Sequence, residues 1–166
     1  MRRHIRAVLL LAFAVAAASP AAAQQNSRTA TLNVTVSSVA KLSVSSPSLV
    51  FPDADPDTTP QIPSSGAPLT LVAKARVTPG SLITLTVQAT DDLRSGPDVI
   101  SASALSWTAT GSGFTAGTVS VASAQTVASW GNSGQHTGTQ SYVFANVWTY
   151  APGVYALTLV YTLTAQ

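Results

Sequence analysis

The stretch GVYALTLVYTLT, residues 153–164, is where the chain declares its geometry. Every second residue from Tyr155 is large and apolar: Tyr155, Leu157, Leu159, Tyr161 and Leu163. Ala156, Thr158, Val160, Thr162 and Thr164 alternate with them and suit an open or half-covered face. Successive side chains of an extended chain point to opposite sides, so this period of two predicts a β-strand with one buried face. Pro152-Gly153 supplies the turn that starts it.

The same pattern recurs upstream. Tyr142, Phe144, Trp148 and Tyr150 are in phase and predict a strand with one aromatic face, preceded by a polar, glycine-containing loop over residues 131–139. Residues 118–121 and 126–130 read as short strands, and residues 99–109 as a strand carrying Leu105 and Trp107 on one face, stopped by Gly111-Ser112-Gly113. Leu69, Leu71, Ala73, Ala75 and Val77 alternate with Thr70, Lys74, Arg76 and Thr78, and Ile83, Leu85, Val87 and Ala89 with Thr84, Thr86 and Gln88. Pro79-Gly80 between them fits the central positions of a type II turn, which predicts a hairpin. The prolines of residues 45–68 exclude a helix and a central strand, leaving a short edge strand at residues 49–51 followed by an extended surface loop, and residues 91–98, with Gly96-Pro97, read as a further loop. Residues 30–44 are apolar at every even position except Ser38, over a length that exceeds one ordinary strand. They read either as one strand bent near Ser37-Ser38 or as an N-terminal arm followed by a strand. About seven to nine strands and no helical period predict an all-β fold, an antiparallel immunoglobulin-like β-sandwich with Greek-key connections. A closed barrel is the alternative.

Residues 1–23 have the anatomy of a signal peptide: a basic start at Arg2, Arg3 and Arg6, an apolar run, and Ala21-x-Ala23 before the cleavage point. The expectation is an exported protein, extracellular, at the cell surface or in the periplasm, whose residues 24–166 form a single β-sandwich domain. No later stretch has the roughly 20 apolar residues of a membrane span, so no transmembrane span is expected in the mature chain. Of 8 basic residues three leave with the signal, and the remaining five face six Asp, a net charge near −1. That balance offers no basic patch for nucleic acid. Cysteine is absent, so packing and sheet hydrogen bonds must hold the fold.

Catalytic chemistry is poorly provided for, and no enzyme activity is expected. His136 is the single histidine after the signal, with no fixed partner near it in sequence. Asp91-Asp92 are neighbours on an extended chain and point apart, serving as turn caps rather than as a carboxylate pair. Asp53, Asp55 and Asp57 are the candidate metal ligands, for Ca²⁺, because alternating carboxylates can converge on a hard cation. The loop lacks the glycine and the final glutamate of the best-known calcium loop, and a solvated acidic loop is the competing reading. No other cofactor is expected. Trp130, between Ser129 and Gly131 at a loop edge, is the candidate for an exposed carbohydrate platform, whereas Trp107 and Trp148 read as core.

Two resemblances bear on function. Tyr155-x-x-x-Leu159-x-Tyr161-x-Leu163 resembles the C-terminal motif of WxL surface domains, with Tyr161 where that motif has Trp. Asp91-Asp92-Leu93-Arg94-Ser95-Gly96 and Leu105-Ser106-Trp107 are similar to the family's Asp/Arg loop and Trp-bearing strand. This resemblance implies a binding module for cell-wall polysaccharide. Gly153 followed by alternating apolar residues also resembles fimbrial and spore-coat-U-like subunits. That likeness implies a structural or adhesive surface subunit whose partners are copies of itself or related subunits. Residues 24–37 would then be a donor arm, inserting Ala30, Leu32, Val34 and Val36 beside the strand that begins at Gly153.

Overall fold

The computed structural model describes residues 28–45 and 48–166; the expected signal peptide and residues 24–27 of the arm lie outside them. The chain divides into two compact units, Met1–Thr35 and Val36–Gln166. In the first, residues 28–35 have no regular secondary structure and are exposed throughout. The second is an all-β sandwich of antiparallel sheets, as the alternating patterns predict.

Among the described residues eleven strands follow in order: β1 (Val39–Val44), β2 (Gln61–Pro63), β3 (Leu69–Arg76), β4 (Ile83–Ala89), β5 (Leu93–Ser95), β6 (Asp98–Ile100), β7 (Leu105–Thr110), β8 (Gly117–Thr118), β9 (Gln125–Trp130), β10 (Gly134–Ala145) and β11 (Leu159–Ala165). The larger sheet has the order β1-β3-β10-β7-β8, with β2 also on β10. The smaller sheet is β11-β4-β9, and β5 and β6 form a separate pair.

The predicted hairpin of residues 69–89 is corrected. The turn itself is present: Ser81 N–H donates to Thr78 O at 3.1 Å, and Gly80 takes φ +88°, as the third position of a type II turn requires. Yet β3 pairs with β1 and β10, whereas β4 pairs with β11 and β9, so the turn carries the chain from one sheet to the other. Leu69, Leu71, Ala73 and Ala75 of β3 and Ile83, Leu85, Val87 and Ala89 of β4 are buried in one core cluster. Alternation specifies a buried face, and a sandwich crossing uses that face as well as a hairpin does.

β10 is twelve residues long and central to the larger sheet. It takes in most of the segment expected to be a loop. Gly134–Gln140 pairs with β3, and Thr139–Phe144 pairs with β7. Gly138 marks the reason for the polar, glycine-bearing sequence: a Cβ there would collide with Thr110 O and the Phe114 ring. β2, not residues 49–51, is the short proline-bearing strand, and it lies beside the end of β10 as the proline argument requires. The strand expected over residues 99–109 is interrupted by a 3-10 turn, Ala102–Ala104, whose first N–H is capped by Asp92 Oδ1 at 2.8 Å. The loop over residues 91–98 contains β5 and its turn into β6. Within residues 30–44, residues 39–44 are strand and residues 30–38 are not, so one strand bent near Ser37-Ser38 does not form.

Candidate functional site

β11 delivers the alternation of the closing stretch residue by residue. Tyr155, Leu157, Leu159, Tyr161 and Leu163 are half-buried, and the residues between them are exposed. The regular strand begins at Leu159; ahead of it Ala156 makes a two-way bridge to Arg94 of β5, N–H to O at 3.1 and 3.2 Å. Gly153 lies outside the strand against the Ser95 side chain, where a Cβ would collide with the serine Oγ. The inward face stays half-buried because β11 is an edge: it is hydrogen-bonded to β4 on one side, and among the described residues no strand is bonded to the other.

β1 is the corresponding edge of the larger sheet, bonded among the described strands to β3 alone. Leu42 is its half-buried residue, and Val39, Ala40 and Val44 are exposed. Between the two edges runs a groove of about 820 Å³. Leu42 and Val44 form one wall, Leu49 and Phe51 of the proline-rich segment close one part, and residues 155–161 form the other wall. Leu69, Leu93, Leu105 and Tyr142 are the core side chains it reaches.

A polar contact ties the sheets together at this groove. Tyr161 Oη donates to Gln140 Oε1 at 2.6 Å and lies 2.7 Å from Tyr142 Oη. With the Tyr161 proton directed at Gln140, the Tyr142 hydroxyl donates to the Tyr161 oxygen, making a relay from β10 to β11 and back. Gln140 is fully buried, and its Nε2 has no partner among the described residues. Burial pushes the Tyr161 hydroxyl up to about 12 and drives that of Tyr142 further in the same direction, because an ionised phenol loses its hydration there. Both stay neutral donors at any physiological pH. Sequence reasoning found the Tyr142 and Tyr161 positions as apolar strand faces but not their meeting. Gln140 was missed because a glutamine within a polar run carries no signal of burial.

The arm candidates Ala30, Leu32, Val34 and Val36 are not in a strand, and Leu32, Val34 and Val36 are 85%, 80% and 64% exposed. The carbohydrate candidate Trp130 is corrected: it is buried at 7% exposure. His136 stacks on its face with centroids 4.3 Å apart, Phe114 meets it edge-on at 5.2 Å, and its indole N–H donates to Ser112 O. No face remains for a sugar ring. Trp107 is core, as expected, but Trp148 sits in the turn after β10 with 68% of its surface exposed. Asp53, Asp55 and Asp57 do not converge, and no cluster of three such ligands occurs among the described residues. Asp55 instead organises its own turn, taking Asp57 N–H on its carboxylate at 2.9 Å and Thr59 N–H on its carbonyl at 2.8 Å. No known family model matches the chain, and no curated protein matches its sequence.

Proposed function

We propose that this protein is an exported, non-catalytic structural or adhesive subunit of the cell surface. It joins copies of itself, or related subunits, by laying residues 30–36 of one copy into the groove of the next. The observation that carries the reading is the pairing of opposites: an apolar groove between two strand edges that, among the described residues, have no further bonded strand, and an exposed segment alternating at the period such a groove accepts. Four side chains at every second position span roughly 20 Å, within the reach of the Tyr155–Leu163 face.

Magnitudes decide what must hold such an arm. Burying Leu32, Val34 and Val36 is worth about 1.5–3 kcal/mol each. Ordering seven residues costs about 1–2 kcal/mol apiece. Side chains therefore do not suffice, and the free backbone edge of β1 or β11 must supply a ladder of hydrogen bonds. His136 supports the non-catalytic part of the reading. Its ring is spent on Trp130, and the hydrogen-bond contact of its Nε2 is the Asn132 carbonyl at 3.5 Å.

Light scattering behind size-exclusion chromatography of the mature chain tests the proposal. Multimers are expected that vanish on deletion of residues 24–37 and weaken with Val34→Asp. A monomer at every concentration, unchanged by the deletion, would sink it.

A further inference from the structure

Trp148 is 68% exposed, against 2% for Trp107 and 7% for Trp130. A tryptophan left in water is ordinarily free to swing, yet this one is anchored. Its indole N–H donates to Asp57 Oδ1 at 2.9 Å, across 91 residues of chain. The two segments that carry the pair are themselves clamped. Asn146 Nδ2 donates to Ala54 O at 2.9 Å and to Thr59 O at 3.1 Å, and Asn146 N–H donates to Pro60 O at 2.9 Å. Below the turn Tyr150 packs on Phe144 at 5.7 Å.

The result is a flat aromatic face held beside a carboxylate whose second oxygen, Oδ2, has no hydrogen-bond partner among the described residues. An aromatic face attracts the slightly positive C–H face of a pyranose. A neighbouring carboxylate oxygen accepts a strong, charge-assisted hydrogen bond from a hydroxyl or ammonium group. Asp53 and Asp55 are exposed in the same loop, and neither forms an ion pair among the described residues. Their charge repels uronates and sulfated sugars and admits neutral or amino sugars.

We propose that Trp148 and Asp57 form a surface site for a non-anionic polysaccharide, the indole stacking on a sugar ring and Asp57 Oδ2 taking its hydroxyl or amino proton. The site draws on neither the N-terminal arm nor the groove, so it stands or falls separately from assembly.

The test uses the mature chain and three probes: a soluble neutral β-glucan, chitosan oligosaccharides and alginate. Because the other two indoles are buried, a ligand-dependent shift in tryptophan fluorescence reports Trp148. Expected are a shift and retardation in native affinity gels with the neutral glucan or with chitosan, and none with alginate. Trp148→Ala should weaken retardation at least ~10-fold, Trp148→Phe should keep most of it, and Asp57→Asn should weaken it several-fold. Retardation by alginate alone, a chitosan signal that a lysine-rich peptide reproduces, or unchanged retardation in Trp148→Ala would overturn the proposal. So would a Trp148→Ala effect confined to self-association, or silence from all three probes.

Discussion

Replacing Tyr161 with Phe removes one oxygen from the contact between the sheets and leaves the groove's shape intact. Two losses follow. The 2.6 Å bond to Gln140 Oε1 disappears, and Tyr142 Oη loses its acceptor at 2.7 Å. A net hydrogen bond is worth about 1 kcal/mol, and an orphaned buried group costs about 1–3 kcal/mol. Tyr142 can recover part of this by donating to Gln140 Oε1, already 3.4 Å away. The expected destabilisation is about 2 kcal/mol, which at a urea slope of roughly 2 kcal/mol/M lowers the unfolding midpoint by about 1 M. The pH dependence provides a second readout. In the folded chain Tyr161 keeps its proton to about 12, against 10.0 for an ordinary tyrosine. Its contribution is therefore complete below pH 10 and lost as pH rises through 12, because the unfolded chain sheds that proton first. Two pH units correspond to about 2.7 kcal/mol, so the slope of stability near pH 11 should be shallower by about 1 kcal/mol per unit in Tyr161→Phe. Urea titrations at pH 7.5 and from pH 9.5 to 11.5 measure both. Adding Tyr142→Phe and Gln140→Leu should return most of the lost stability, since removing all polar partners leaves nothing unsatisfied. A midpoint within 0.2 M of the parent (~0.4 kcal/mol at the slope above) together with an unchanged alkaline slope would refute the reasoning.

Gly138→Ala should cost about 2 kcal/mol or more in chemical unfolding, because its Cβ meets a carbonyl and a ring in a central strand rather than a flexible side-chain tip; a loss under ~0.5 kcal/mol would contradict that packing. Asp91 receives the Arg94 guanidinium on both oxygens, at 2.6 and 3.1 Å, and that hydrogen bonding holds its carboxyl below the usual range. Its contribution is thus present above the ordinary carboxylate range and lost as pH falls through the lowered value. In an NMR titration Arg94→Ala should move the Asp91 transition upward, with no change expected if the pair is broken in solution.

Strand positions were legible wherever one face is buried, since side-chain alternation is a property of the extended backbone. The half-buried and exposed residues from Tyr155 to Leu163 follow it without an exception. β10 was half hidden because its first residues are polar and its Gly138 answers to Phe114, a contact formed across the fold. The assignments of Trp130 and Trp148 failed for a related reason. Trp130 sits beside Gly131 and Trp148 in phase with Phe144, but burial depends on what crosses above a ring. His136 and Phe114 cross Trp130, whereas the chain turns outward after Ala145 and leaves Trp148 in water.

The amino-acid sequence by itself determined that this chain is all-β, where most of its longer strands lie, and which side of the closing strand turns inward. Those follow from periodicity and from proline and glycine placement, which act within a few residues. Tertiary structure decided that β3 and β4 belong to different sheets and that β1 and β11 end as facing free edges. It also decided that Gln140 meets two tyrosines. Hydrogen-bond ladders and buried polar contacts join residues far apart in the chain, and local alternation is the same for every partner a strand could take.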